Sequence, residues 1–315
     1  MVVWGVDGES TASLTSLMIL IRWLLALFFI SAALAAEPFR PNLGPNLPTV
    51  TVQSGDLTLL LRQASQWTPG RIDFRGQPMT TERSAYGTVF NFTGTGFIGT
   101  GHLENEPEPL QSLAFFVDGQ EIQAPSEKLV GKHFQLKRVS NVRGCQLTCV
   151  VELKDNRLIE TSTIRTTNAV PLHLVYHFMH AWRPTVSGFL AGRDAEPEPT
   201  HGGELNDAPA TARQFVISER VDWMAVYEPE SGQFAVSRLM AAPKEGGHVS
   251  MIWNVPGSYR KYYLKCFDKD IVPANFEGTW RMVTAFGAAR PEEWQSKARA
   301  LAEALRVEKG IQPDA

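Results

Sequence analysis

From Thr49 onward, apolar and polar positions alternate in short runs, a two-residue period that predicts strands with one buried face. Val50-Thr51-Val52 and Leu57-Thr58-Leu59 flank Ser54-Gly55-Asp56, which predicts a turn. Strands follow at residues 70–76, 87–92, 97–98 and 112–117, and Asp118-Gly119 predicts a hairpin into 120–123. Residues 134–139, 145–153 and 158–165 give three more, with Asp155-Asn156 turning between the last two. The run 170–182, VPLHLVYHFMHAW, reads as a strand because Asn168 precedes it and Arg183-Pro184 follows. Residues 188–209, rich in glycine, proline and acids, predict a long loop. Alternation resumes at 212–218, 222–227, 233–239, 248–255, 259–266 and 278–286.

The period changes at 291–308. Trp294, Ala298, Leu301 and Leu305 recur at helical spacing, Pro291, Glu292 and Glu293 suit a helix start, and Gly310 ends the segment. About fifteen short strands, one clear helix and no internal repeat predict an all-β chain: one large antiparallel sandwich over 49–315 with a C-terminal helix.

The N-terminus carries a different signal. Residues 18–36, MILIRWLLALFFISAALAA, place Arg22 before an apolar run that ends in Ala33-Leu34-Ala35, a small-x-small cleavage pattern. Residues 1–36 are therefore expected to be a signal peptide, with Met18 as its functional start. The expected location is periplasmic or secreted, with no membrane attachment after cleavage. A membrane anchor is the competing reading, but the apolar run is short for a span. Residues 37–48 contain four prolines and predict an extended linker.

Composition narrows the function. The 315 residues carry 30 basic and 33 acidic side chains, and no basic stripe appears, so no nucleic-acid partner is expected. Eight Trp and 17 Phe supply either core filling or flat platforms for sugar rings. Cys145, Cys149 and Cys266 are odd in number, and on an extended strand Cys145 and Cys149 stand too far apart to bridge, so buried free thiols are expected. Gly94, Gly96 and Gly99 make a GxGxxG form, but no helix follows, and neither a Walker loop nor a GxSxG elbow occurs. No cofactor is expected.

Three constellations could carry chemistry. The first lies in 93–117, where Gly94, Gly96, Gly99 and Gly101 lead into His102, with Glu104, Glu106 and Glu108 beyond. On an extended segment His102 and Glu104 share a face, which suits a proton-transfer pair; the plainer alternative is a glycine turn and a solvated acidic loop. The second is His173, His177 and His180. Strict alternation puts His173 and His177 on one face and His180 opposite, with Tyr176 and Trp182. The alternative is a set of satisfied core histidines. A zinc site from His102, Glu104 and His177 is conceivable, but nothing in the spacing demands it, and no metal is expected. The third is the alternating strand 259–266, with Tyr259, Lys261, Tyr263 and Lys265 on one face, Arg260 and Tyr262 on the other, and Asp268 just beyond. Lysines and phenols on one face suit an anionic sugar, or simply an exposed strand face. Arg71, Tyr86, His180, Trp182, Arg183, Tyr259, Lys261 and Tyr263 form the candidate substrate-binding set.

Gly101-His102-Leu103-Glu104 and the mid-chain segment Pro171 to Phe178 resemble the galactose mutarotase-like supersandwich family, that of the aldose 1-epimerases and of domains in glycosidases and polysaccharide lyases. The resemblance covers roughly residues 49–288. It implies a large β-supersandwich, a carbohydrate substrate, and acid–base roles for His102 and His177. The family's late glutamate would fall near Lys265-Cys266-Phe267-Asp268; Asp268 is the nearest acid, and Glu277 lies closer to the last strand. Glu104 or Asp268 would then assist. The expected activity is epimerase-like, with a uronate-cleaving lyase and a non-catalytic glycan-binding module as alternatives.

Overall fold

In a computed structural model the described residues are 48–311, apart from 82–86, 100–104, 107, 124, 197, 208–213 and 269–270. The expected signal peptide and nearly all of the proline-rich linker lie outside them. None of the described helices is long and apolar enough to cross a membrane.

The strands assemble into two packed layers. One is a ten-stranded sheet in the order His201–Glu204, Gly188–Gly192, Trp223–Glu228, Gln233–Ala241, Glu277–Ala288, Arg157–Thr166, Cys145–Lys154, His133–Val142, Leu110–Val117, Gln120–Ile122. Every pairing in it is antiparallel. The facing layer holds two smaller sheets. A six-stranded sheet runs Gln214–Glu219, Val249–Val255, Tyr259–Cys266, Leu174–Trp182, Val89–Phe92, Gly96–Gly99. A five-stranded sheet runs Gln77–Pro78, Pro69–Phe74, Leu57–Arg62, Thr49–Ser54, Lys128–Val130. A single antiparallel bridge, Thr80 with Trp182, links the two. The chain is an all-β sandwich, as its alternation predicts, and antiparallel except where Thr49–Ser54 pairs in parallel with Lys128–Val130.

That alternation explains the core. On Arg157–Thr166, Leu158 and Ile164 point inward while Ile159 and Thr163 point out. Side chains from all three sheets, among them Leu59, Phe74, Phe134, Leu264, Trp280 and Met282, share one apolar interior. Each such side chain contributes about 1.5–3 kcal/mol by leaving water.

A second cluster sits on the outer face of the ten-stranded sheet. There the helix Trp294–Ile311 lays Trp294, Ala298, Ala302 and Leu305 over Tyr227, Val236 and Ala285. Trp294 stacks on Tyr227 with centroids 5.0 Å apart and planes 3° apart. The expected C-terminal helix is therefore present, and it packs against the outside of a sheet.

One expectation is overturned. Residues 188–209 are not simply a loop, because Gly188–Gly192 and His201–Glu204 pair as a hairpin. Gly202 and Gly203 stand opposite Leu190 and Phe189. A Cβ on Gly202 would come within 2.8 Å of Leu190. The partner strand's large side chains lie over the bare glycines, so the apolar half of the pair is written only on one strand.

All three cysteines are free; Cys145 and Cys266 are buried and Cys149 is half-buried. Burial pushes the Cys145 thiol up to about 12 and the Cys266 thiol up as well.

Candidate functional site

The strand Leu174–Trp182 separates two chemically distinct surfaces. His177 pairs with Leu264 and His180 with Tyr262, so Phe178 and Met179 on one strand lie opposite Tyr263 alone on the other. The extra residue is a β-bulge, and Phe178 takes it up with φ of 54°. Because of the bulge His177 and His180 both face inward, and Trp182 does too, while Tyr176 faces outward. This corrects the expectation that His180 lies opposite His177, which assumed unbroken alternation.

The inner set is polar but sealed. The His177 ring is 0% exposed and stacks on Trp280 at 4.4 Å. Burial pulls its pKa down to about 3, so the imidazole is neutral. Thr88 Oγ1 lies 3.2 Å from His177 Nδ1 and 2.9 Å from Ser162 Oγ. His180 Nε2 meets Glu160 Oε2 at 2.6 Å, both side chains buried. Register across the large sheet lines up Arg138, Cys149, Ser162 and Trp280 in one row. Arg138 is held by the Gln66 carbonyl at 2.7 Å, with Glu108 at 3.8 Å, and Ser140 donates to Glu108. A cavity of about 20 Å³ touches Thr88, Arg138, Cys149, Glu160 and Ser162. That is room for about one water molecule. No sugar fits there, so the inner histidines have no access to a substrate.

The outer face of the six-stranded sheet is different. Register sets Gly99, Val89, Tyr176, Lys265 and Val249 in one row across five strands. Met251 and Tyr263 form the next, and Phe215, Trp253, Lys261 and Ala181 another. A Cβ on Gly99 would stand 2.8 Å from the Thr88 carbonyl, so only glycine allows the strand end to approach this closely.

The Tyr176 and Tyr263 rings meet edge-on with centroids 4.7 Å apart, and Phe97 stacks on Tyr176 at 5.8 Å. The Tyr176 and Tyr263 hydroxyls are hydrogen-bonded to each other. Burial raises the pKa of both phenols, and the Asp268 charge raises that of Tyr176 further, so both stay protonated. Lys265 Nζ grips Asp268 Oδ2 at 2.7 Å, and the Asp268 side chain is 47% exposed. Lys261 Nζ lies 5.0 Å from the Tyr259 ring centroid and 5.6 Å from that of Trp253. Phe215 packs against Trp253 at 5.4 Å.

The expected site residues thus divide. Tyr259, Lys261, Tyr263 and Asp268 lie on or beside this outer face. His177, His180 and Trp182 lie behind it, in the core. Arg71 stands on the five-stranded sheet, its Nε 2.9 Å from Asp73 Oδ1. Arg183 is half-buried, and its backbone N–H donates to the Met79 carbonyl at 3.0 Å. His102, Glu104 and Tyr86 lie outside the described residues. Among the described residues, no group of three or more His, Cys, Asp or Glu side chains is placed to hold a metal ion. Tyr176, Trp253, Phe97 and Phe215 join the face without having been singled out. The signal for Tyr176 was its place next to His177, but only the register shows that it opposes Lys265.

No protein-family model matches the chain, and no curated protein matches it. Solved structures do. A putative aldose 1-epimerase from Escherichia coli K12 is 10% identical and aligns over 78% of this chain and 100% of its own, with a TM-score of 0.45. A galactose mutarotase-like protein from Lactobacillus casei is 8% identical over 76% of this chain and 100% of its own, with a TM-score of 0.46. Another from Clostridium acetobutylicum is 10% identical over 75% and 94%, with a TM-score of 0.44. Overlap of this extent concerns architecture, and it transfers no residue's role.

Proposed function

We propose that this is an exported carbohydrate-active enzyme that takes a sugar on the outer face of the six-stranded sheet and acts on it by proton transfer, as an aldose epimerase does. The observation that carries this reading is the row in which Tyr176 directly opposes Lys265, with Asp268 tied to that lysine. It puts a protonated phenol, a cation and an exposed carboxylate within reach of one small polar ligand. Phe97 and Tyr176 add aromatic ring surface beside them.

In this scheme Asp268 accepts the proton of the anomeric hydroxyl while a general acid protonates the ring oxygen. The C1–O5 bond breaks, a carbonyl forms at C1, and reclosure on the other carbonyl face inverts the anomer. We assign the acid to His102, the role that the resemblance of Gly101-His102-Leu103-Glu104 implies for it. The Tyr176 phenol, kept protonated, donates to a sugar hydroxyl, while the buried Tyr263 holds it in place. The export part of the proposal rests on the apolar run and small-x-small pattern of residues 18–36.

Polarimetry or NMR exchange on a panel of free aldoses tests the reaction. His102→Ala and Asp268→Asn should each lower the rate by about 10²–10⁴ while circular dichroism stays unchanged. Wild-type protein that gives no rate above the uncatalysed exchange on any aldose ends the epimerase reading. A lyase acting on uronates is the second reading, favoured by Lys261 and Lys265 on the same face. Its signature is the ultraviolet absorbance of an unsaturated uronate product. The raised phenol pKa values weigh against it, since a lyase would need one of these tyrosines as a base.

A further inference from the structure

The outer face extends well beyond the Tyr176–Asp268 neighbourhood, and what lies there bears on the size of the substrate. Lys261 is four residues from Lys265 on one strand, about 13–14 Å along it. Trp253 sits across from Lys261 on the next strand, and Phe215 across from Trp253 on the edge strand. Two and three strand spacings of about 4.8 Å then place Trp253 about 16–17 Å from Tyr176 and Phe215 about 20 Å from it. A single pyranose ring is about 5 Å long, roughly one strand spacing. One monosaccharide therefore cannot touch both ends of this face.

The far end has its own binding chemistry. Phe215 is 56% exposed, an unusual state for a phenylalanine on a sheet. Its ring leans on Trp253 at 33° between planes, and Trp253 is itself half-buried. Lys261 Nζ lies by the Trp253 and Tyr259 rings, which places a cation at the edge of the aromatic surface. Rings with hydrogen-bonding groups at their margin suit a sugar, whose C–H face stacks while its hydroxyls bond at the rim. The platform continues on the same side of the same sheet as the proposed reaction centre.

We infer that the ligand is a glycan chain of three or more residues, with its reacting end at Tyr176, Lys265 and Asp268 and a distal ring on Trp253 and Phe215. This rests on the functional reading above, in that it needs a sugar at the first position.

Calorimetry with gluco-oligosaccharides and oligogalacturonides of one to six residues tests the inference on the full mature chain. Affinity should rise between the monosaccharide and the tetrasaccharide. Trp253→Ala should remove about five- to tenfold of the tetrasaccharide's affinity and leave the monosaccharide unaffected. Phe215→Ala should lose a smaller part of the same increment, and its exposed position keeps the fold out of question. If monosaccharides bind or turn over and neither variant changes tetrasaccharide affinity, the chain-length inference fails while the proposed function stands. If no sugar of any length binds, both fail.

Discussion

The His177 imidazole lies on the Trp280 indole, ring centroids 4.4 Å apart and planes 27° apart. The stack joins the six-stranded sheet to the ten-stranded one across the core. It also fixes an acid response. Unfolded, His177 takes a proton near 6.5; folded, burial holds it neutral down to about 3. The group's contribution to stability is complete above about pH 6.5 and is lost as pH falls from there toward 3, at up to about 1.4 kcal/mol per pH unit. His177→Phe should keep the stack and flatten this slope. Urea unfolding midpoints between pH 7 and pH 4 read it directly, and an unchanged slope in the variant would show that another group sets the acid response.

Glu160 and His180 are bonded at 2.6 Å with both side chains buried. Truncating either to alanine strands the other in the core and should cost about 3–5 kcal/mol. Replacing both together, Glu160→Met with His180→Leu, should recover much of that loss, because no buried polar group is then left alone. Denaturant curves of the two single variants and the double variant form the cycle. Equal losses in all three would show that the pair is held by packing alone.

Much of the fold was written in the chain. The long alternating runs at 134–139, 145–153 and 158–165 became central strands because burial on one face forces a period of two. The C-terminal helix was equally plain, since Trp294, Ala298, Leu301 and Leu305 make an apolar stripe. The hairpin at 188–204 was hidden because its glycines contribute no side chain. The site was less legible. Tyr259, Lys261 and Tyr263 share a face by simple alternation, and they do stand on the same side of the sheet, although Lys261 and Tyr263 are buried there. The histidines misled: an imidazole between apolar neighbours looks the same in sequence whether it meets a substrate or a tryptophan. Cross-strand partners, such as Tyr176 with Lys265, depend on register, and no single segment encodes it.

Gly192 illustrates how tightly the ten-stranded sheet is filled. A Cβ there would stand 2.7 Å from Trp223 Nε1, with two further ring atoms inside 3.0 Å. An indole cannot bend away as a flexible chain end would. Gly192→Ala should therefore destabilise by about 1–3 kcal/mol. Thermal unfolding with tryptophan fluorescence reports both the loss and the displaced ring; an unshifted melting point would mean that the strand itself moves freely.

Trp294 anchors the helix by its parallel stack on Tyr227. Trp294→Ala should cost about 3–5 kcal/mol if helix and sandwich unfold together. Limited proteolysis separates this from local release: cleavage confined to the helix, with the sandwich still melting as wild type, would show that the helix is an independent unit.

The bulge at Phe178 gives one strand two opposite phases. Before it, even-numbered positions such as Tyr176 look outward; after it, even-numbered positions such as His180 and Trp182 look inward. Were the strand to run straight through Phe178 and Met179 with every residue kept, Trp182 and His180 would turn toward the ligand face and Ala181 would enter the space they fill. That slip would strip Glu160 of its partner and pull the Thr80–Trp182 bridge out of line. A one-residue deletion at 178 or 179 would instead remove the extra residue and leave His180 opposite Tyr262, still facing inward. The side chains beyond the bulge thus owe their direction to the pairing register and not to the count of residues before them.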